Sequence, residues 1–170
     1  MGIHRLNHAV LFVRDLSATV SFYEEVLGFH VVNEMPGRAA FLQAQNSMND
    51  HDLGLFQMGP GAQPSEAGQS TVGLYHLAWE VDTLEDLARI ADALSSHGAL
   101  VGATDHSSTK SLYGKDPNGL EFEIVWLVPL DRLDEEILDG RMELRPLDLP
   151  KEIEKYGATT RSGLGVSRPA

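Results

Sequence analysis

The sequence contains no cysteine, which excludes disulfide bonds and cysteine-ligated zinc sites. It is also poor in basic residues, since 13 Lys and Arg stand against 25 Asp and Glu and leave a net charge of −12. This balance argues against non-specific binding to nucleic acid or to anionic membranes, because both require basic patches. We therefore expect neither nucleic acid nor a membrane as a partner.

Long apolar runs are absent as well. No segment of the sequence approaches the about 20 apolar residues of a membrane-spanning helix. The stretch 1–16 has too short an apolar run and too early a charge for a signal peptide, so a cytoplasmic location is expected. The 170 residues, of which 42% are hydrophobic and 22% charged, suffice for one globular domain with a real core.

What the sequence does contain is an internal repeat with an offset of 68 residues. His8 opens the run HAVLFVRDL and His76 opens the run HLAWEVDTL, and in both runs valine follows after five residues and leucine after eight. Each run continues into apolar residues at helical spacing, which end near Gly28 and Gly98. Short strand-like segments separated by turn signals follow in both halves.

This order predicts two tandem βαβββ modules and therefore an α+β fold. After the helix, the predicted strands of module one span 28–35, 38–44 and 52–58. Those of module two span 99–104, 108–115 and 120–127. We assign 3–58 to module one, 59–73 to a linker rich in Gly, Pro and Ser, and 74–128 to module two. Residues 129–156 are predicted to form a helical extension, and 157–170 a flexible tail.

His8, His76 and a carboxylate of the last strand are the candidate metal ligands. Alternate residues of a strand share a face, and the helix of each module must cover the apolar face. This leaves both histidines, together with Glu121 and Glu123, on the opposite, concave face. Two histidines and one carboxylate are the ligand set of non-haem Fe(II) oxygenases, which keep positions open for substrate and O2. The alternative is that each is an ordinary, hydrogen-bonded strand histidine.

The sequence resembles the vicinal oxygen chelate superfamily, which includes glyoxalase I, bleomycin-resistance proteins and extradiol dioxygenases. The resemblance covers 3–128 and rests on HAVLFVRDLSATVSFYEEVLGF, HLAWEV and, most specifically, DHSSTKSLYGKDPNGLEFEIVW. It implies paired modules that form a curved, cup-like mixed sheet around a metal, with the helices outside. The last segment is similar to the extradiol dioxygenase signature, in which the ligand glutamate lies seven residues after the aspartate of a turn. Asp116 therefore selects Glu123 over Glu121.

The resemblance also bears on the branch of the superfamily. Glyoxalase I-like members typically use two ligands per module, and the offset of 68 places Leu55, which cannot bind a metal, at the fourth position. A register slip of two would place Gln57 there instead. Antibiotic-binding members commonly lack the metal ligands that this chain retains. Short, single-domain catechol 2,3-dioxygenase-like members are therefore favoured. The alternatives are a glyoxalase- or epimerase-like lyase or isomerase, and an aromatic antibiotic-binding resistance protein.

The resemblance further implies the cofactor and the role of each site residue. Fe(II), or else Mn(II) or another divalent metal, would be held by His8, His76 and Glu123. A catechol-type aromatic diol and O2 would be the substrates, and the protein would form a homodimer. His106 looks like the acid–base histidine of extradiol enzymes, and Tyr113 looks like their active-site tyrosine. Their structural alternatives are an exposed turn histidine and a core tyrosine.

Other side chains receive simpler predictions. Three histidines at strand or loop edges are expected to be exposed: His30, His51 and His97. Three aromatic side chains are candidates for contact with a substrate ring, although each is also compatible with a place in the core: Phe12, Phe41 and Trp79.

Overall fold

The computed structural model describes residues 2–3 and 5–163. The chain divides into two compact units. The first unit comprises Met1–Glu66 with Asp116–Gly119, and the second comprises Ala67–Lys115 with Leu120–Ala170. Each unit contains one βαβββ module, so the predicted α+β class and the duplicated order of elements are confirmed.

The first unit is a four-stranded sheet with one helix. Its elements are β1 (Ala9–Val13), α1 (Leu16–Leu27), β2 (His30–Met35), β3 (Ala39–Gln43) and β4 (Leu53–Gln57). The strand order is β1-β4-β3-β2, with β1 parallel to β4 and the other pairs antiparallel. Helix α1 begins after Asp15, whose carboxylate accepts from the Ala18 N–H at 3.0 Å. It ends at Gly28, whose φ of 72° suits glycine.

The second unit repeats this arrangement. Its elements are β5 (His76–Glu80), α2 (Leu84–Ser96), β6 (Leu100–Asp105), β7 (Thr109–Lys115) and β8 (Glu121–Leu127). The strand order is β5-β8-β7-β6, and β5 runs parallel to β8 as β1 does to β4. Helix α2 begins after Thr83, whose hydroxyl oxygen accepts from the Asp86 N–H at 3.1 Å.

The C-terminal extension, residues 129–156, adds a fifth strand and two helices to the second unit. These are α3 (Glu135–Asp139), β9 (Arg145–Pro146) and α4 (Leu149–Tyr156), with short 3-10 turns at Leu130–Arg132 and Gly140–Met142. Strand β9 pairs with β6, and α4 packs on α2. The helices predicted for this extension are therefore present, and the edge strand β9 is an additional element.

Residues 157–163 differ from the flexible tail that the sequence predicts. The Trp126 indole N–H donates to the carbonyl oxygen of Thr160 at 3.1 Å, and the Ser162 N–H donates to that of Asp82 at 2.6 Å. The Gly163 N–H donates to Leu127 at 3.0 Å. These bonds fasten the segment to the second unit. The rest of the predicted tail, 164–170, lies outside the described residues.

The turn Asp116–Gly119 belongs to the first unit although the strands around it belong to the second. Asn118 explains this, because its Oδ1 accepts from the Arg14 N–H at 2.7 Å and its Nδ2 donates to the Thr19 hydroxyl at 3.1 Å. The division between the units after Glu66 falls inside the predicted linker 59–73. The turn that predicts Glu123 as a ligand is thus held by the N-terminal module.

In each sheet the helix covers one face, as the alternation of side chains predicts. On β1, Leu11 and Val13 are buried whereas Val10 and Phe12 are 52% and 71% exposed. On β8, the side chains that face α2 are at most 1% exposed: Phe122, Ile124 and Trp126. We call the side opposite the helix the open face of each sheet. The predicted ligand positions lie on the open faces.

The packing of α2 on its sheet gives a first prediction. A Cβ added at Gly114 would lie 2.5 Å from the ring of buried Phe122 and 3.3 Å from Leu94. We expect Gly114→Ala to lower the free energy of unfolding by about 1–3 kcal/mol, because a well-packed core resists added volume. Urea denaturation measures this. Gly61→Ala is the matched control, since a Cβ at Gly61 meets no atom within 4 Å. Equal free energies of unfolding for the two variants would contradict the close packing of Gly114 against Phe122.

No helix within the described part of the chain is long and apolar enough to cross a membrane.

Candidate functional site

The second sheet brings four of the predicted site residues together on its open face. In the register of β5 and β8, His76 is opposite Glu121 and Ala78 is opposite Glu123. In the register of β7 and β8, Tyr113 is opposite Glu123. His106 follows directly after β6, in the turn between β6 and β7.

These four side chains form a chain of contacts. His76 Nε2 lies 3.3 Å from Glu123 Oε2, and the two side chains are 25% and 15% exposed. The Tyr113 hydroxyl donates to Glu123 Oε1 at 3.3 Å. His106 Nε2 lies 3.0 Å from the same hydroxyl. The tautomer of His106 sets which of the two groups donates in this last contact.

Tyr113 is held in its neutral form. Burial, together with the negative charge and hydrogen bond of Glu123, raises the pKa of Tyr113 to about 12. The hydroxyl therefore keeps its proton at neutral pH and remains a hydrogen-bond donor. A cation bound by Glu123 would offset the carboxylate and lower this pKa again.

His8 lies in the first unit, one residue before β1. Its side chain is exposed, its Nδ1 lies 2.7 Å from the Asn7 side-chain oxygen, and its ring centroid lies 4.5 Å from that of His51. His8 thus occupies in the first sheet the place that His76 occupies in the second. Within residues 2–3 and 5–163, no three His, Cys, Asp or Glu side chains form a group that could hold a metal ion. The set of three ligands stays a prediction.

His51 is a residue that the sequence analysis missed. Its side chain was expected to be exposed but is only 19% exposed, and its ring packs against those of His8 and Phe41 at centroid distances of 4.5 and 5.2 Å. Its Nδ1 lies 2.8 Å from Asp50. The parallel pairing of β1 with β4 places the residues before both strands side by side, and this is the signal that could have found it.

The aromatic candidates divide between the two faces. Phe41 packs edge-on against Phe56 at 6.0 Å, and Phe56 packs against Phe12 at 6.5 Å. These three rings form a row on the open face of the first sheet. Trp79 is opposite Ile124, which is 1% exposed, so it lies on the helix side of the second sheet. Phe12 and Phe41 therefore remain candidates for contact with a ring, whereas Trp79 does not face the same way as His76.

The position of a fourth ligand differs from the one predicted. Val10, the counterpart of Ala78, is opposite Gly54, so the first-unit counterpart of Glu123 is Gly54 and not Leu55. A Cβ there would already contact Val10 and Phe41 at 3.4 and 3.6 Å. Gln57 lies on the helix side, where its Oε1 accepts from the Leu16 N–H at 2.6 Å. Neither position offers a donor to the open face.

The duplicated βαβββ module is the fold of a known class of proteins. The chain belongs to the Glyoxalase/Bleomycin resistance protein/Dioxygenase superfamily, whose model matches residues 5–124. This confirms the resemblance found in the sequence.

Two relatives of the chain are dioxygenases by name. The chain is 37% identical over 121 residues to biphenyl-2,3-diol 1,2-dioxygenase 3 of Rhodococcus globerulus, a match that covers 71% of this chain and 62% of that protein. It is 30% identical over 119 residues to catechol-2,3-dioxygenase of Bacillus subtilis, covering 70% of this chain and 40% of that protein. The chain therefore spans less than two thirds of the length of either relative.

A solved structure agrees on the fold. The glyoxylase/bleomycin resistance protein/dioxygenase domain from Frankia sp. EAN1pec superposes with a TM-score of 0.61 at 20% identity, covering 75% of this chain and 94% of that one. At this level of identity the likeness establishes the fold alone.

Proposed function

We propose that this protein is an extradiol dioxygenase that cleaves a catechol-type aromatic diol with O2 and Fe(II). The observation that carries the proposal is the continuous set of contacts from His106 through Tyr113 and Glu123 to His76. Under this proposal, groups that would bind the metal and groups that would transfer protons lie on one face of the second sheet. The names of the two dioxygenase relatives support the same chemistry.

The donors at His76 and Glu123 suit a divalent metal. An imidazole nitrogen and a carboxylate oxygen 3.3 Å apart can serve one ion, and both side chains are partly exposed. The Nδ1 of the same ring is buried without a hydrogen-bond partner among the described residues. Nε2 is therefore the ring nitrogen that faces the carboxylate of Glu123. His8, at the equivalent place in the first sheet, would be the third ligand.

When bound, Fe(II) would supply the Lewis acidity that eases deprotonation of the diol, and the redox chemistry that O2 requires. The protein's own groups would handle protons. His106, as the imidazole beside Tyr113, would accept and return a proton of the substrate, and neutral Tyr113 would donate a hydrogen bond to a substrate oxygen. Manganese or another divalent ion could replace iron, since the ligand set does not select the metal by itself.

The overall reaction balances without a reductant. One O2 is consumed per diol, the ring carbon–carbon bond next to the diol breaks, and both oxygen atoms are retained in a semialdehyde acid of the muconic type. The alternative of a glyoxalase- or epimerase-like enzyme loses support, because the fourth ligand that it requires is replaced by Gly54 and Gln57 faces the other side. Homodimer formation remains an expectation from the family resemblance.

The proposal is tested by metal analysis of protein purified without oxygen, followed by O2 uptake with a panel of substituted catechols. We expect about one Fe(II) per chain and O2 uptake with at least one diol. Methylglyoxal–glutathione adducts and aromatic antibiotics serve as comparison ligands for the two alternatives. Bound iron without O2 uptake across the whole panel would contradict the proposal.

A further inference from the structure

Lys110 of β7 is a buried lysine that joins the C-terminal extension to the sheet. The residue is 2% exposed and lies on the helix side, opposite Trp126 in β8. Its Nζ lies 2.5 Å from Asp105 Oδ1 at the end of β6, and 3.2 Å from Glu152 Oε2 in α4. Lysine is rarely buried unless it is paired, and removing one partner of such a group is strongly destabilising. The extension therefore contributes a charged partner inside the second unit.

Asp105 in turn holds the turn between β6 and β7. Its Oδ1 also accepts from the Ser107 N–H at 2.7 Å, and its Oδ2 lies 3.7 Å from Arg145 Nε in β9. Burial acts to raise the pKa of Asp105, but the ammonium of Lys110 outweighs burial and holds this pKa below its ordinary value. The carboxylate is therefore charged. Ser107 has a φ of 67°, which a non-glycine residue adopts at a cost.

The extension also contacts this turn directly. Gly140, in the 3-10 turn after α3, leaves no room for a side chain, because an added Cβ would lie 2.8 Å from the Ser107 hydroxyl oxygen and 3.0 Å from its Cβ. Ser107 is itself 6% exposed. Two separate parts of the extension thus restrain the turn, one through charge and one through close packing.

His106 lies in this turn, between the two restrained residues. Its backbone N–H donates to Thr109 at 3.0 Å, and its Nε2 meets the Tyr113 hydroxyl at 3.0 Å. We propose that the C-terminal extension positions His106 against Tyr113. The positioning residues are Gly140, within the extension, and Lys110 of β7, which the extension reaches through Glu152. The extension lies outside residues 5–124, which the superfamily model matches. Its catalytic consequence rests on the proposed function.

Gly140→Ala tests the packing contact, and Gly61→Ala is the matched control because a Cβ there meets no atom within 4 Å. Gly140 has a φ of −73°, which alanine tolerates, so the added methyl acts through Ser107 and not through backbone strain. The double variant Gly140→Ala/Ser107→Gly removes the atoms that the methyl would meet. It also places glycine at the positive φ, so the turn should return to its original position.

Glu152→Gln tests the charged contact from the other end, with Glu154→Gln on the exposed side of the same helix as its control. The glutamine retains the shape but leaves Lys110 with one carboxylate instead of two. This variant keeps the inference testable if Gly140→Ala proves too unstable to purify.

The measurements are the histidine side-chain 15N spectrum of the metal-free protein, the iron content, and kcat and KM. We expect the His106 signal to shift in Gly140→Ala and in Glu152→Gln, to return in the double variant, and to stay unchanged in both controls. With activity present, kcat should fall by up to about 100-fold, as for a displaced catalytic group, with iron content and KM retained. An unchanged His106 signal in both variants would overturn the inference. A shifted signal with unchanged kcat would uphold the positioning and contradict the role of His106 in the proposed function.

Discussion

Replacing His76 with alanine is expected to abolish both stoichiometric iron binding and ring cleavage while leaving the protein folded. His76 Nε2 approaches the Glu123 carboxylate at 3.3 Å, and its Nδ1 has no hydrogen-bond partner among the described residues. Few polar contacts thus tie the side chain to the fold, and under the proposed function it would supply one of the three metal donors. Iron per chain, O2 uptake and the circular dichroism spectrum measure the three parts of this prediction.

The control for this variant is His30→Ala. His30 begins β2 as His76 begins β5, but its side chain is exposed. It should keep full iron content and activity. If His76→Ala retained both as well, the assignment of the metal site would be wrong. If it lost its fold, His76 would instead be a structural residue.

The second large effect is expected for His106→Asn, which should lower turnover by about 100- to 10,000-fold, the usual contribution of a general acid–base group. Iron content should stay near that of the wild type, because His106 is bonded to Tyr113, whereas the ligands proposed on this sheet are His76 and Glu123. The asparagine keeps a polar side chain in the turn but cannot exchange a proton near neutral pH. Single-turnover kinetics with iron-loaded protein separates the chemical step from metal binding.

His97→Asn provides the matched control, since His97 lies exposed at the end of α2, with its Nδ1 2.8 Å from the carbonyl oxygen of Ala93. Its turnover should match that of the wild type. An equal loss of iron and turnover in His106→Asn would mean that His106 is a ligand or a structural residue and has no separate role in proton transfer.

The sequence predicted the repeated modules because two patterns agree in each half: the His-led strand followed by apolar residues at helical spacing, and the turn residues that separate the later strands. The opening strands and helices are marked by period and by flanking turn residues, and their structural counterparts lie within a few residues of the predicted spans. The extension was harder to predict. A strand of two residues, Arg145–Pro146, has no periodicity, and its existence depends on pairing with the edge of β6. The segment 157–163 is likewise held by tertiary hydrogen bonds that no local pattern indicates.

The candidate site shows the same division between local and tertiary information. Glu123 is predicted as a ligand from a local motif of the family, the turn that begins seven residues earlier at Asp116. The offset of 68, applied to the whole module, predicts Leu55 as the first-unit counterpart of Glu123, where a fourth ligand would lie. The interval between the first and last strands is one residue shorter in the first unit, so the true counterpart is Gly54. Strand register is set by pairing, and a slip of one residue changes the face.

The packing of His51 and the restraint of His106 by the extension could not be predicted from spacing. His51 is brought to His8 by the parallel pairing of β1 with β4, across more than 40 residues of sequence. In the sequence Lys110 is one polar residue of a predicted strand. The fold shows that its side chain is buried between Asp105 and Glu152. Such contacts couple distant segments and leave no local signal.

The most direct test of the central claim is the stoichiometry of the reaction under 18O2, with iron-loaded protein and a diol that supports O2 uptake. The account predicts one O2 consumed per diol, both labelled atoms in a ring-opened semialdehyde acid, and no product from protein that carries His76→Ala. A product with one labelled atom, or cleavage of the diol without O2, would contradict it.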